Sequence, residues 1–468
     1  MSNRKTYTVK EFDRLVSETG ARFISNISND VTVISDSDFD DLQDYLLTSI
    51  KEEGKQLFKV LKISSHAHYG KTIQLQNYVG IIELPKSKTR IEVLPKIYSG
   101  NAEISEIGDI KNILLSMLSA LKDFPVLELG HASLDVRKLS LYEVFIRIFL
   151  GRVLELAKKG LRSDYVEVTE NINRFKGRLD MPLQIKHNAA HSERFYVRHD
   201  EYSLSRPENK ILKLAIKKLL SKTEDAENAF LAKRTLIYFD EVEESLDYES
   251  DYRHISFDSS NQGYLGVIQW AMVFLRNKSF SIFGGDTNGQ ALLFPMDKLF
   301  EQFVASQAAK LINAHNKKYG THYRFVSQES AKYLFDVPKS FKLRPDIKVE
   351  GDQSILLDTK WKILTDKKPR NNISQSDMYQ MYAYSKRYNA SLVYLLYPES
   401  ASSHAITDTE YEASTDPLKT HISLRFLDLK NMNDHSNKNL LAEDNGLYSL
   451  LLQFLSKEAG AGITITTV

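Results

Sequence analysis

The sequence predicts an α+β multidomain protein, with a β-rich and helical N-terminal region followed by a C-terminal α/β mixed sheet. Residues 57–97 alternate apolar and polar side chains in short runs, which indicates strands. Residues 110–160 and 207–280 carry apolar side chains at helical spacing. After residue 291 the pattern reads helix, two strands, helix, strand, an order typical of a mixed sheet flanked by helices. A chain of 468 residues is long enough for two or three domains.

Three segments are expected along the chain. Residues 1–60 form an N-terminal extension of mixed charge, in which an amphipathic helix runs from Asp36 to about Lys55. Residues 61–285 form a region of short strands and longer helices. Residues 286–468 form the C-terminal domain, and the boundary is placed within the glycine-rich stretch 283–289 because such a composition is typical of a linker.

The C-terminal segment begins with a predicted helix near Pro295, whose apolar residues recur three and four positions apart. Two apolar runs of strand length follow, at 343–349 and 355–362, joined by a polar turn. A second helix is predicted at 374–384, with Ser374 or Ser376 as its cap, and another strand at 390–397.

Two carboxylates and one lysine are expected to meet on the paired strands. Asp358 and Lys360 are two residues apart, so on a strand both side chains point to one face. Asp346 lies on the neighbouring run and can join them. Two carboxylates and an ammonium group at one point can hold a hard cation on oxygen ligands and position an attacking water. The alternative is a surface hairpin whose charges face water.

Two further polar residues lie on the flanking helices. Glu301 is beside the apolar stripe of the first helix, where its carboxylate can reach a metal site or remain a solvated charge. Gln380, on the second helix, can face the same site and contact DNA or water, or it can be an ordinary surface amide.

A basic cluster follows the proposed metal ligands. Residues 291–400 contain 17 Lys and Arg against 11 Asp and Glu, although the whole chain has a net charge of only +1. The cluster, which suits a phosphate backbone, consists of Lys360, Lys362, Lys367, Lys368 and Arg370. The last four are predicted DNA contacts, with a solvated loop as the alternative.

The segment Pro345–Asp346 followed by Asp358–Thr359–Lys360 resembles the motif of the PD-(D/E)xK nucleases. Further blocks resemble McrC, the nuclease subunit of the McrBC-type modification-dependent restriction systems. These blocks are Asn77–Ile82, Ile91–Ile97, Lys159–Tyr165, Asn173–Leu179, Arg206–Leu212, Leu299–Glu301, Asp358–Lys360 and Tyr379–Gln380. Their order and number make the resemblance specific over roughly residues 60–400. Trp361 stands where tyrosine is common in this family.

The resemblance implies a restriction-endonuclease-like C-terminal domain and a Mg²⁺-dependent endodeoxyribonuclease. Asp346 and Asp358, with the backbone carbonyl of Thr359, would hold the metal. Lys360 would orient or help deprotonate the attacking water and stabilise developing charge. Glu301 would hold a metal-bound water or a second ion, and Gln380 would assist positioning.

The resemblance also implies two partners. One is a hexameric McrB-like AAA+ ring that hydrolyses GTP, and the other is modified double-stranded DNA. Residues 61–285 are expected to engage the ring, with the regions around Gly80 and Pro95–Lys96 as candidates.

Composition excludes several classes of protein. The absence of cysteine excludes disulfides and cysteine-ligated zinc and fits a reducing compartment. The longest apolar stretch, Tyr264–Leu275, is too short to span a bilayer, and the residues after Met1 lack the apolar core of a signal peptide. A cytoplasmic protein without membrane partners is expected.

No nucleotide-binding loop is predicted. Gly70–Lys71–Thr72 matches the end of a P-loop, but Ser65 stands where that loop requires glycine, and the following residues indicate a strand. A partner must therefore supply any NTP hydrolysis. A non-catalytic subunit that docks on the NTPase and activates it is the alternative function, and a DNA-binding scaffold with a decayed site is disfavoured because all three motif residues are present.

Overall fold

The structure is a computed structural model. It describes residues 5–22, 24, 26–53, 60–97, 104–121, 139–255, 262–276, 291–351, 353–365, 372–400, 403, 406, 409–433, 441 and 446–458. These residues form two compact units. One contains the described residues up to 141 and from 291 onward, and the other contains those from 142 to 276.

Strands and helices alternate along both units. The described strands are β1 (Thr6–Lys10), β2 (Arg14–Ser17), β3 (Val31–Ile34), β4 (Leu61–His66), β5 (Gly70–Leu75), β6 (Tyr78–Glu83), β7 (Arg90–Leu94), β8 (Asp164–Ile172), β9 (Arg178–Leu179), β10 (Phe195–Ser203), β11 (Ala291–Pro295), β12 (Arg324–Ser327), β13 (Tyr333–Asp336), β14 (Lys339–Lys342), β15 (Ile347–Glu350), β16 (Ser354–Thr359), β17 (Leu392–Pro398), β18 (Glu410–Ala413) and β19 (Thr420–Leu427). The described helices are α1 (Glu18–Ala21), α2 (Asp36–Glu53), α3 (Ile104–Ser119), α4 (Leu141–Lys158), α5 (Met181–Asn188), α6 (Pro207–Lys222), α7 (Ala226–Leu236), α8 (Tyr248–Arg253), α9 (Gln262–Arg276), α10 (Met296–Tyr319), α11 (Gln375–Tyr388) and α12 (Gly446–Glu458).

The multidomain mixture of helices and mixed sheets agrees with the predicted fold class. None of the described helices combines the length and the apolar character needed to cross a membrane.

Two four-stranded sheets occupy the N-terminal part of the first unit. Their strand orders are β1-β7-β6-β11 and β3-β2-β5-β4. The predicted amphipathic helix is α2, whose apolar face packs on this core through Phe39, Leu42 and Leu46. β11, which follows the predicted boundary near residue 285, pairs antiparallel with β6. The first unit therefore contains residues from both sides of that boundary, and residues 277–290 lie outside the described part.

Gly80 is required where β6 approaches β11. Its backbone has φ +133°, and a Cβ at this position would lie 2.0 Å from the carbonyl oxygen of Leu292. Only glycine avoids that contact. Gly80 and Pro95, two residues expected at the partner surface, are both buried.

The second unit combines helices α4 to α9 with a three-stranded antiparallel sheet of order β8-β10-β9. Arg147 on α4 holds the start of α7, because its guanidinium donates to Asp225 and Glu227 at 2.6 Å each. Trp270 on α9 packs against Phe145, with ring centroids 5.7 Å apart.

A six-stranded mixed sheet forms the C-terminal core, in the order β12-β15-β16-β17-β19-β18. β16, β17 and β19 are parallel, and the remaining pairs are antiparallel. Helices α10 and α11 both contact β16. Residues Ile355 to Thr359 are all buried, as expected for a strand covered on both faces. The predicted helix, strand pair, helix and strand are therefore α10, β15–β16, α11 and β17.

Candidate active site

The expected carboxylates lie at one end of the C-terminal sheet. Ile347 pairs with Leu357 in the antiparallel β15–β16 ladder, so Asp346 and Asp358 are brought to the same end. Asp346 directly precedes β15 rather than lying within a strand, because Pro345 cannot donate a ladder hydrogen bond. Asp358 is the penultimate residue of β16, and Lys360 is the first residue after it.

Thr359 fixes the orientation of Asp346. Its backbone N–H and its Oγ1 hydroxyl each donate a hydrogen bond of 2.8 Å to Oδ2 of Asp346. Because both bonds converge on one oxygen, the carboxylate is held in a defined position between the two strands.

Asp358 and Lys360 form a buried ion pair. Nζ of Lys360 lies 2.6 Å from Oδ2 of Asp358, whose residue is only 3% exposed. Burial, together with the charge of Asp346, raises the pKa of Asp358 to about 7, although Lys360 opposes this shift. Burial lowers the pKa of the Lys360 ammonium, but the charge and hydrogen bond of Asp358, together with the charges of Asp377 and Asp346, outweigh burial and raise that pKa. Lys360 is therefore a cation at neutral pH.

Gln380 completes a hydrogen-bonded path from Lys360 to the loop before β15. Its Oε1 accepts a 3.2 Å bond from Nζ of Lys360, and its Nε2 donates to the Tyr384 hydroxyl at 2.9 Å. Tyr384 in turn donates to the carbonyl of Arg344 at 3.1 Å. Gln380 is exposed on α11 and contacts Lys360. Tyr384, one helical turn further along α11, was not singled out from the sequence.

Glu301 is buried on α10. It accepts a 2.7 Å hydrogen bond from Nζ of Lys298, one turn earlier. Burial raises the pKa of Glu301, and the charge of Asp346 raises it further, against the effect of Lys298. The carboxylate of Glu301 therefore belongs to the same electrostatic cluster as Asp346. The alternative expectation, that Glu301 is a solvated charge on the helix surface, is wrong.

Comparison with known proteins gives the family. A family model described as the McrBC 5-methylcytosine restriction system component matches residues 73–398, which is more than half of the chain. The chain belongs to the McrBC family. The matched span includes Glu301, Asp346, Asp358, Lys360 and Gln380.

The fold of this McrBC family member is also similar to solved structures. One is a chain from a half-complex of a tetradecameric assembly of Thermococcus gammatolerans McrB AAA+ hexamers with bound McrC. It is 17% identical, with a TM-score of 0.68, and the match covers 96% of this chain and 100% of that one. A chain of the Thermococcus gammatolerans McrBC complex is 20% identical, with a TM-score of 0.47, over 66% of this chain and 88% of that one. No curated protein matches the sequence.

Trp361 anchors the end of the segment that carries Lys360. Its indole N–H donates a 2.6 Å hydrogen bond to Oε1 of Glu11, and its ring lies 5.3 Å from that of Phe300. Glu11 follows β1 and also accepts a 3.1 Å bond from the backbone N–H of Lys96. Glu11, just after β1, therefore links the segment that carries Lys360 to Lys96, just after β7.

Burial dominates the electrostatics of Glu11. It raises the pKa of Glu11 to about 7, although Lys96 and Trp361 favour the carboxylate. Nζ of Lys96 lies 4.0 Å from Oε2, and within the described part of the chain that oxygen has no hydrogen-bond donor. No pattern in the sequence pointed to this residue.

The predicted basic cluster is only partly described. Lys362 is half-exposed and forms a 2.6 Å ion pair with Asp377 on α11, so its charge is partly compensated. Lys367, Lys368 and Arg370 lie outside the described residues.

Proposed function

We propose that this chain is the Mg²⁺-dependent, PD-(D/E)xK-type endonuclease of an NTP-driven restriction system, hydrolysing phosphodiester bonds in DNA. The observation that carries the proposal is the convergence of Asp346, Asp358 and Lys360 at the buried end of β15 and β16. Glu301 and Gln380 reach the same cluster from the two flanking helices. A hairpin with solvated charges would not bury Asp358 or raise its pKa.

The donor set fits Mg²⁺. No group of three or more His, Asp or Glu side chains within the described ranges has the arrangement of an all-protein metal cage. Mg²⁺, however, keeps several waters and is bound through one or two carboxylates together with substrate phosphates. Asp346 and Asp358 would hold it, with the Thr359 carbonyl as a further ligand. When bound, the ion would polarise the scissile phosphate and lower the pKa of a nucleophilic water.

The protein groups have separate roles around the scissile phosphate. Lys360, held by Asp358 and Gln380, places a permanent cation beside the water and the charge that develops on phosphorus during attack. Thr359 keeps Asp346 oriented before substrate arrives. Glu301 holds a water or a second ion. Attack by water breaks one P–O bond and leaves one phosphate and one hydroxyl end.

Cleavage of supercoiled plasmid with Mg²⁺, NTP and the partner NTPase tests the proposal on methylated and unmethylated DNA. Asp358→Ala and Lys360→Ala are each expected to abolish cleavage, because each removes one member of the buried pair. Thermal unfolding checks that each variant remains folded. Full cleavage by either folded variant would contradict the assignment.

The proposed partner is a hexameric AAA+ NTPase, since the similar Thermococcus gammatolerans structure contains McrC bound to such hexamers. The burial of Gly80 and Pro95 moves the expected contact surface to the second unit. There, large apolar side chains of the β8–β10 sheet and the loop after β8 are exposed, as is typical of docking surfaces. They include Tyr165, Phe175 and Tyr202, and the first and last of these pack edge to face at 5.9 Å.

Partner stimulation gives the corresponding test. Tyr165→Ala with Tyr202→Ala should reduce stimulation of the NTPase, whereas Tyr238→Ala, also exposed in this unit, should not. Equal stimulation by all variants would place the contact elsewhere. If the wild type stimulates the NTPase but cuts no DNA, the alternative function, a non-catalytic activating subunit, is the correct one.

A further inference from the structure

The β13–β14 hairpin presents an apolar tip to solvent. Phe335 is 53% exposed, Val337 is 93% exposed and Phe341 is 71% exposed. The two phenylalanine rings pack edge to face, with centroids 6.0 Å apart. Large apolar side chains grouped in this way mark an interaction surface rather than the scattered exposure that is normal for a soluble protein.

Both the base and the turn end of the hairpin are held to the domain. Arg387 on α11 donates hydrogen bonds of 2.5 and 3.1 Å to Asp336, and its carbonyl accepts from Nζ of Lys332 at 2.8 Å. Leu334 packs against the core of the C-terminal sheet. The hairpin backbone is therefore fixed against α11 from its base to its turn, and the exposed side chains of Val337 and Phe341 are the parts that can contact a partner.

The hairpin leads directly into the catalytic cluster. The Arg344 carbonyl, two residues after β14, accepts the hydrogen bond from Tyr384 that links it to Gln380. Phe341 is five residues before Asp346, so their Cα atoms are at most about 18 Å apart. That distance is roughly half a helical turn of DNA. The hairpin therefore lies within about half a helical turn of a DNA phosphate bound at Asp346.

The charge around the hairpin indicates that its partner is DNA. Lys339, Lys342 and Arg344 are exposed on or beside the hairpin. The nearby acid, Asp336, is already paired with Arg387, which lowers its pKa by donating hydrogen bonds to it. Apolar side chains bordered by cations are the features of proteins that insert a wedge into a DNA groove and partly unstack a base step.

We propose that the β13–β14 hairpin is a DNA wedge, which inserts Val337 and Phe341 into a groove beside the scissile phosphate while Lys339 and Lys342 contact the backbone. This inference rests on the proposed function, because the hairpin would act on the DNA that the catalytic cluster cuts. It adds a binding element to that function, outside the predicted lysine cluster.

Binding of a fluorescent 30-base-pair duplex by the full chain tests the wedge, with every protein carrying Asp358→Ala so that no DNA is cut. Val337→Ser with Phe341→Asn should weaken binding by about ten-fold or more, because wedge and stacking contacts are lost. Leu246→Ser, which removes an equally exposed apolar side chain from the other unit, is the matched control and should bind normally. The substituted side chains are solvent-exposed, and circular dichroism checks the fold.

Two further readouts separate the contribution of the apolar side chains to DNA binding from that of the lysine charges. A 2-aminopurine base in the duplex should brighten when the parent protein binds and unstacks it, and should stay dim with the Val337/Phe341 variant. Lys339→Ala with Lys342→Ala should instead lower the slope of log affinity against log salt by about 1.8.

Each failure has a distinct signature. The wedge proposal would be overturned if the Val337/Phe341 variant kept the affinity and the 2-aminopurine signal of the parent protein. It would also be overturned if the parent protein bound no duplex, with or without its NTPase partner. Loss of NTPase stimulation with unchanged DNA binding would identify a protein contact and overturn it too. The proposed nuclease function fails separately, when wild-type protein with Mg²⁺, NTP and partner does not cleave.

Discussion

Glu11 should make the first unit less stable as the pH rises. Its pKa moves from an ordinary 4.5 to about 7 because burial disfavours the charged form. The folded state therefore binds this proton more tightly than the unfolded state, and stability is highest below pH 4.5 and falls as the pH rises through 7. A shift of this size corresponds to about 3 kcal/mol between those limits. Glu11→Gln keeps an oxygen for Trp361 and Lys96 but cannot ionise.

The two tryptophans provide a selective assay. Trp270 belongs to the second unit and Trp361 to the first, so a Trp270→Phe background leaves Trp361 as the only tryptophan and as a probe of the first unit. Urea unfolding would be followed by its fluorescence from pH 4.5 to 8, with and without Glu11→Gln. Across this range the protein that retains Glu11 should lose about 3 kcal/mol of its free energy of unfolding, relative to the Glu11→Gln variant.

A second carboxylate in the same unit supplies a control of opposite sign. Arg425 donates a hydrogen bond to Glu410 and lowers its pKa. Stability from Glu410 is present above pH 4.5 and is lost as the pH falls below it, so in unfolding curves extended below pH 4.5 the protein should gain stability relative to Glu410→Gln as the pH rises. The reasoning about burial would be refuted if the difference in free energy of unfolding between the proteins with and without the Glu11→Gln substitution were the same at every pH.

Two further substitutions test the fold and the site. Gly80→Ala should lower the free energy of unfolding by about 2 kcal/mol or more. The added Cβ would collide with the Leu292 carbonyl, and the backbone angle at this position disfavours alanine. If the variant were as stable in urea as the wild type, β6 and β11 would not be so close. Gln380→Ala removes one hydrogen bond from Lys360 and should slow plasmid cleavage roughly ten-fold without abolishing it. An unchanged single-turnover rate would mean that Gln380 does not position the lysine.

Local patterns were sufficient to predict the strand pair of the site. Two apolar runs of strand length joined by a short polar turn indicate β15 and β16. The two-residue spacing of Asp358 and Lys360 predicts that their side chains share a face, although Lys360 lies one residue beyond β16. The flanking helices were predictable for the same reason, since apolar spacing reports which face is buried. These features depend on residues close in sequence.

Features that depend on distant residues were not predictable. Glu11 and Trp361 are 350 positions apart, and neither carries a pattern that identifies the other. The exposure of the β13–β14 hairpin was also missed, because Phe335 and Phe341 are of a residue type usually found in cores. Pairing of β11 with β6 was obscured by the glycine-rich stretch between 283 and 289, whose composition resembles a linker.

The pairing of β6 with β11 also imposes an order on folding during translation. Glu83 ends β6 and Ala291 begins β11, so roughly 200 residues must be synthesised between them. At 5–20 residues per second this takes about 10–40 s. Until β11 leaves the ribosome, β6 has an unpaired edge of the kind that promotes aggregation. We therefore expect the nascent chain to expose an aggregation-prone strand edge until the start of the C-terminal domain emerges.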